Sequence, residues 1–85
     1  MDDYTIVLSS RSEKNLDKMS DAIASPILLA IQNLANNPRP FGYKKLKGKS
    51  TYRIRVGDYR VIYDILNEIL VVDVVDVGHR KNIYM

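Results

Sequence analysis

Residues 51–65 read TYRIRVGDYRVIYDI, and the pairing within that stretch can be counted out before anything else about the chain. Gly57-Asp58 lies between two runs of β-branched, aromatic and charged residues and fits a two-residue hairpin turn, with glycine first favouring type II′. Val56 then faces Tyr59, Arg55 faces Arg60, Ile54 faces Val61, Arg53 faces Ile62 and Tyr52 faces Tyr63. Side chains alternate along a strand, so the two faces separate. Tyr52, Ile54, Val56, Tyr59, Val61 and Tyr63 form the core side, while Thr51, Arg53, Arg55, Arg60, Ile62 and Asp64 form the other.

Two arginines are therefore directly opposed, with a third two positions along. Like charges in that position destabilise a sheet, and arginine cannot shed its proton to escape. Two readings follow. A phosphate sits between the guanidiniums, which grip such groups in bidentate fashion. Alternatively an acidic neighbour neutralises them; Asp73 lands on the same face if Asn67-Glu68 is the next turn.

The rest of the chain is sorted around this hairpin. Residues 3–8, DYTIVL, read as a first strand. Ser10 and Glu13 have capping-box spacing, so a helix starts near residue 11, with Leu16 and Met19 as its apolar edge. Ile23, Ile27, Ile31 and Leu34 recur at helical spacing, flanked by Leu28 and Ala35. Pro26 interrupts that run: either the helix begins there with Ser25 as its cap, or it begins at Asp21 and kinks. It stops by Asn36 or Asn37, before Pro38. The two helices form a hairpin covering one face of a sheet. PRPFGYKKLKGKS (38–50) is a loop, with a short strand near Lys44–Lys47. EILVVDVVDVG (68–78) has the near-continuous apolar character of an interior strand covered on both faces. HRKNIYM, which follows, is too short to hold a helix of its own.

With 85 residues, 46% of them hydrophobic and 27% charged, the expectation is one small α+β domain spanning 1–85, of ordinary soluble composition. The absence of cysteine removes disulfides and thiolate metal ligands and suits a cytoplasmic setting. No signal peptide or membrane-length apolar run appears. The formal net charge of +3 hides an asymmetry: residues 1–40 carry five acids and four bases, residues 41–85 nine bases and five acids. Lys44, Lys45, Lys47, Lys49, Arg53, Arg55 and Arg60 stand against one acid, Asp58. Such a band suits a polyanion, most simply nucleic acid, as well as an ordinary solvated surface. No phosphate loop, metal-ligand cluster or Ser/His/Asp set is present, and Asp73 and Asp76, three apart on a strand, point to opposite faces. No metal or cofactor is expected.

YRIRVGDYRVIYDI, the apolar strand and VGHRKNIYM together resemble the RelE/ParE superfamily of bacterial toxins, as do SEKNLDKM (12–19) and the helix end IQNLANNP (31–38). The resemblance implies a β-α-α-β-β-β fold with an N-terminal helical hairpin on one face of a small, mostly antiparallel sheet. It also implies an antitoxin partner in a hetero-oligomer. RelE-type members cut messenger RNA in the ribosomal A site, whereas ParE-type members inhibit DNA gyrase and are not nucleases. The RelE-type site carries over to Arg53, Arg55, Arg60, Arg80 and Tyr84, and all five places hold suitable residue types. By this resemblance Arg55, Arg60, Arg80 and Tyr84 are catalytic and Arg53 binds the RNA; Lys47 and Lys49 of the basic band and His79 are further expected RNA contacts. One departure concerns the general base. Some RelE-type enzymes have lysine where Arg53 and Arg55 stand, and arginine is a poor base. His79, the single histidine, falls on the arginine face if strand alternation continues past Gly78; otherwise it is a surface histidine at a strand end. The expected activity is a ribosome-dependent endoribonuclease, with a gyrase inhibitor and a harmless basic RNA-binding domain as competing readings.

Overall fold

In the computed structural model residues 3–46 and 50–81 are described. The elements run β1 (Thr5–Leu8), α1 (Ser10–Asp17), α2 (Asp21–Asn33), β2 (Lys44–Lys45), β3 (Thr51–Val56), β4 (Tyr59–Leu66) and β5 (Val71–His79). The strands form one five-stranded sheet in the order β1-β5-β4-β3-β2. β1 lies parallel to β5, and every other pair is antiparallel. The α+β class and the order of elements follow the sequence expectation, and the short basic strand near residue 44 is the outermost one.

α1 is capped by Ser9, one residue before the serine expected: its side chain accepts the Ser12 N–H at 3.1 Å. α2 begins at Asp21 and includes Pro26, so of the two expected starts it takes the earlier. Its buried stripe is Ala24, Ile27, Ile31 and Leu34, whereas Ile23 and Leu28, expected in the core, are exposed at its margins. Ile27, Ile31 and Leu34, with Leu16 of α1, meet Tyr52, Ile54, Val61, Tyr63, Val72, Val74 and Val77 from one face of the sheet in a single apolar cluster. Val61, Tyr63, Val72, Val74 and Val77 are fully buried. Tyr63 donates its hydroxyl proton to the Pro38 carbonyl at 2.6 Å, which ties the loop after α2 to the core. Burial pushes that phenol well above the usual tyrosine range, against the opposing charge of Arg39.

The hairpin pairs as counted. Val56↔Tyr59, Arg55↔Arg60, Ile54↔Val61, Arg53↔Ile62 and Tyr52↔Tyr63 are all observed. Gly57 has φ +60 and Asp58 is not among the positive-φ residues, as a type II′ turn requires. The next connection differs from expectation. Leu66 pairs with Val71, so four residues, Asn67–Leu70, make the turn rather than Asn67-Glu68 alone. Leu70 takes a left-handed φ of 53 to close it. β5 is interior, between β1 and β4, but the helices cover only one of its faces; on the other, Asp73 and Val75 are half-buried.

β5 also carries an irregularity that alternation along the sequence does not announce. Ile62 pairs with Asp76, but Tyr63 pairs with Val74, leaving Val75 as an extra residue in a β-bulge. The start of α1 holds this bulge. Ser9 N–H and Ser12 Oγ–H both donate to the Val74 carbonyl (3.0 Å each), Ser9 Oγ donates to the Val75 carbonyl (2.9 Å), and Asn15 Nδ2 donates to the Val77 carbonyl (2.8 Å). Ser12 is wholly buried for this purpose.

Candidate functional site

The sheet face turned away from the helices carries Arg53, Arg55 and Arg60, because β3 and β4 pair in the register that the two-residue turn imposes. Arg55 is exposed and directly opposite Arg60. Between Arg53 and Arg60 lies Ile62, fully buried although no helix covers this side. Arg53 and Arg60 are themselves half-buried. Their Nε atoms are shut off from solvent and have no hydrogen-bond partner among the described residues. Burial lowers the Arg53 pKa below the usual arginine value, and the charges of Arg55 and Arg60 lower it further.

Among the described residues no acid forms an ion pair with any of the three arginines. The sole ion pair among the described residues is Arg11–Asp76 at 3.6 Å; Asp76 stands opposite Ile62, on the arginine face, but its carboxylate is engaged by α1. Asp73 does reach the arginine face, but the longer turn shifts it one pair along, opposite Asp64 rather than Ile62. Asp64 instead accepts the Thr51 hydroxyl at 2.8 Å. The face therefore has a cationic end near the hairpin turn and an acidic end that begins with Asp76 opposite Ile62 and continues to Asp64 and Asp73.

Arg80 follows β5 directly. Its backbone N–H donates to the Asp58 carbonyl at 2.9 Å, so the chain leaving β5 is pinned to the hairpin turn beside Arg60. His79 goes elsewhere. The bulge at Val75 inverts the alternation, so Gly78 rather than His79 stands opposite Arg60, and His79 stands opposite Tyr59. The two rings meet edge to face, centroids 5.4 Å apart. Together with Arg11, Asn15 and Asp76 they line a cleft of about 480 Å³ against α1. The expectation of a histidine on the arginine face thus fails for a local geometric reason: one added residue flips every side chain beyond it. Lys47, Lys49 and Tyr84 lie outside the described residues. Asp76 accepts from Asn15 Nδ2 of α1 at 3.3 Å, but the same bulge sets it opposite Ile62, on the face that Asp73 shares with Asp64, so the expectation that these two acids point to opposite faces fails.

What the arrangement offers is a cluster of fixed positive charge with buried, unpartnered N–H donors and, among the described residues, no carboxylate in ion-pair contact with it. Such a cluster suits an anion with several acceptor oxygens, such as a phosphodiester. The residues missed by sequence reasoning are Ser9, Ser12 and Asn15, whose spacing of three sets one polar edge of α1 against β5; that spacing was the available signal.

The family model described as "ParE toxin of type II toxin-antitoxin system, parDE" matches residues 6–84. No curated protein matches the chain. Among solved structures, the chain is similar to one in the RelBE2 toxin–antitoxin complex of Mycobacterium tuberculosis, at 26% identity and a TM-score of 0.81, covering 92% of this chain and 99% of that one. It is similar also to a chain of the archaeal RelE–RelB complex of Pyrococcus horikoshii, at 28% identity and a TM-score of 0.81, covering 94% and 98%. The intact RelBE toxin–antitoxin complex of E. coli matches at 25% identity and a TM-score of 0.78, covering 89% and 95%.

Proposed function

The chain belongs to the ParE toxin family of type II toxin–antitoxin systems, and from that premise we propose that it is an endoribonuclease toxin which cleaves messenger RNA in the ribosomal A site. The observation that supports the nuclease reading is the opposed Arg55–Arg60 pair beside Arg53, with no described carboxylate in ion-pair contact with any of the three. A protein-binding module has no need to hold three like charges together at a cost to its own sheet.

Cleavage of this type has the ribose 2′-oxygen attack the adjacent phosphorus in line while the 5′-oxygen leaves. The products are a 2′,3′-cyclic phosphate and a 5′-hydroxyl end. Arg55 and Arg60, from facing strands, are set to bind the two non-bridging oxygens and to stabilise the added negative charge. Arg53 holds the nucleotide backbone. Arg80, tied to the hairpin turn, neutralises the leaving oxygen, and Tyr84 stacks on a base or positions the 2′-hydroxyl. His79 faces α1 and is not the base of this site. Proton transfer from the nucleophile falls to the ribosome or the substrate, so free RNA is cut weakly or not at all. An antitoxin, as in the RelB complexes similar in structure, covers the basic face in the inactive state.

The family description favours a second reading, inhibition of DNA gyrase without chemistry. Primer extension on ribosome-bound mRNA after induction separates the two. Discrete A-site cuts, abolished on the order of a hundredfold or more by Arg60→Ala or Arg80→Ala, are the expected result. Intact mRNA together with double-strand DNA breaks assigns the chain to gyrase instead.

A further inference from the structure

Phe41 is the most exposed large apolar side chain described, at 108% of its reference area. It sits in the loop between α2 and β2, next to Gly42, whose φ of +89 turns the chain. Burial of such a ring is normally favourable, so one held fully in water is a ring with both faces free. The chain on either side of it carries bases and no acid. From Ala22 through Gly57 the sequence contains no acid, while Arg39, Lys44, Lys45, Arg53 and Arg55 all fall in that span.

The loop is also joined to the arginine face. β2 is only two residues long and pairs with Tyr52 and Arg53, so the outer edge of β3 lies open from Ile54 onward. A groove of about 320 Å³ runs around that edge, with Phe41, Pro40 and Gly42 on one wall and Ile54 and Arg55 on the other. Tyr43, half exposed, flanks it and meets Tyr52 ring to ring at 6.0 Å. Arg39 is held in place over Tyr52, its guanidinium 5.4 Å from the ring centroid and its Nη2 3.5 Å from the Tyr52 hydroxyl.

We propose that Phe41 is a stacking platform for an unpaired base of single-stranded nucleic acid whose backbone continues along the groove to Arg55. An open aromatic face set among cations is how proteins hold single strands without reading their sequence. An acidic protein segment would find the same charges, but only a base stacks flat on a single open ring, and the experiment below separates the two. The platform rests on the nucleic-acid reading above and adds to it a contact beyond the arginine cluster. It grips the strand one or more nucleotides away from the phosphodiester at Arg55 and Arg60.

The chain contains no tryptophan, so Phe41→Trp places a single fluorescent reporter at the tip. A 2′-O-methyl oligouridine, which cannot be cut, is the probe at low salt. Stacking quenches the tryptophan emission, whereas inorganic polyphosphate and polyglutamate, which carry charge without bases, leave it unchanged. With labelled oligouridine, Phe41→Ala weakens binding about tenfold, and Phe41→Tyr restores it. Equal quenching by polyglutamate, or oligouridine affinity unchanged in Phe41→Ala, overturns the platform. If that variant is unchanged while Arg55→Ala and Arg60→Ala lose binding, the nuclease reading stands and the platform alone falls. Failure of the unaltered protein to bind oligouridine overturns the platform, and primer extension then judges the nuclease reading by itself.

Discussion

Removing one arginine from the face should make this protein more stable. Arg55 is the one to change. It is exposed, so it contributes little packing, and it stands opposite Arg60 and on the same face as Arg53. Opposed like charges on a sheet cost from a few tenths to about 1 kcal/mol. Exposure of Arg55 argues for the middle of that span, so Arg55→Gln should gain about 0.5 kcal/mol. For a chain of this length about 4–8 °C accompanies each kcal/mol, giving a melting temperature about 2–4 °C higher. The charges repel through solvent, so the gain must shrink with salt: screening lengths fall from about 30 Å at 0.01 M to about 3 Å at 1 M. Thermal melts followed by circular dichroism at both salt concentrations test this. A variant that melts at or below the parent temperature in low salt refutes the repulsion. So does a gain that persists undiminished at 1 M. The same substitution should abolish toxicity, so stability and activity move in opposite directions at one residue.

Three further outcomes follow from the scaffold. Tyr63→Phe strands the Pro38 carbonyl in the core and should cost about 1–2 kcal/mol in urea unfolding. Because burial raises the Tyr63 pKa in the fold, the parent's stability is intact below the unfolded tyrosine value near 10 and declines as pH rises beyond it. Tyr63→Phe should flatten that decline, and absorbance at 295 nm should show one late-titrating phenol lost from the six tyrosines. Gly57→Ala meets no atom within 4 Å, so its cost is conformational alone: about 1–2 kcal/mol for the positive φ, measured by the same unfolding assay. Ser12→Ala removes one of two donors to the Val74 carbonyl and should cost about 1 kcal/mol. Amide exchange should quicken around Val74–Val77 before it does in β3.

The hairpin was legible in the chain because its causes are local. Gly57 must adopt a positive φ, a two-residue loop permits one register, and alternation then assigns every side chain from Thr51 to Asp64 to a face. The three arginines share a side for that reason alone. The helical hairpin was equally visible from apolar spacing, although spacing could not tell Ala24 from Ile23 as the buried residue, since that depends on how α2 rotates against the sheet. Past Leu66 the causes become distant. The four-residue turn needs Leu70 in a conformation that no local signal favours. The extra residue at Val75 exists because hydroxyls at Ser9 and Ser12, more than sixty positions earlier, satisfy the carbonyls it frees. Only the assembled sheet could therefore decide that His79 faces Tyr59 and α1 while Gly78 leaves the space opposite Arg60 without a side chain. A turn is closed by its own residues, whereas a bulge persists only where another element pairs the groups it leaves open.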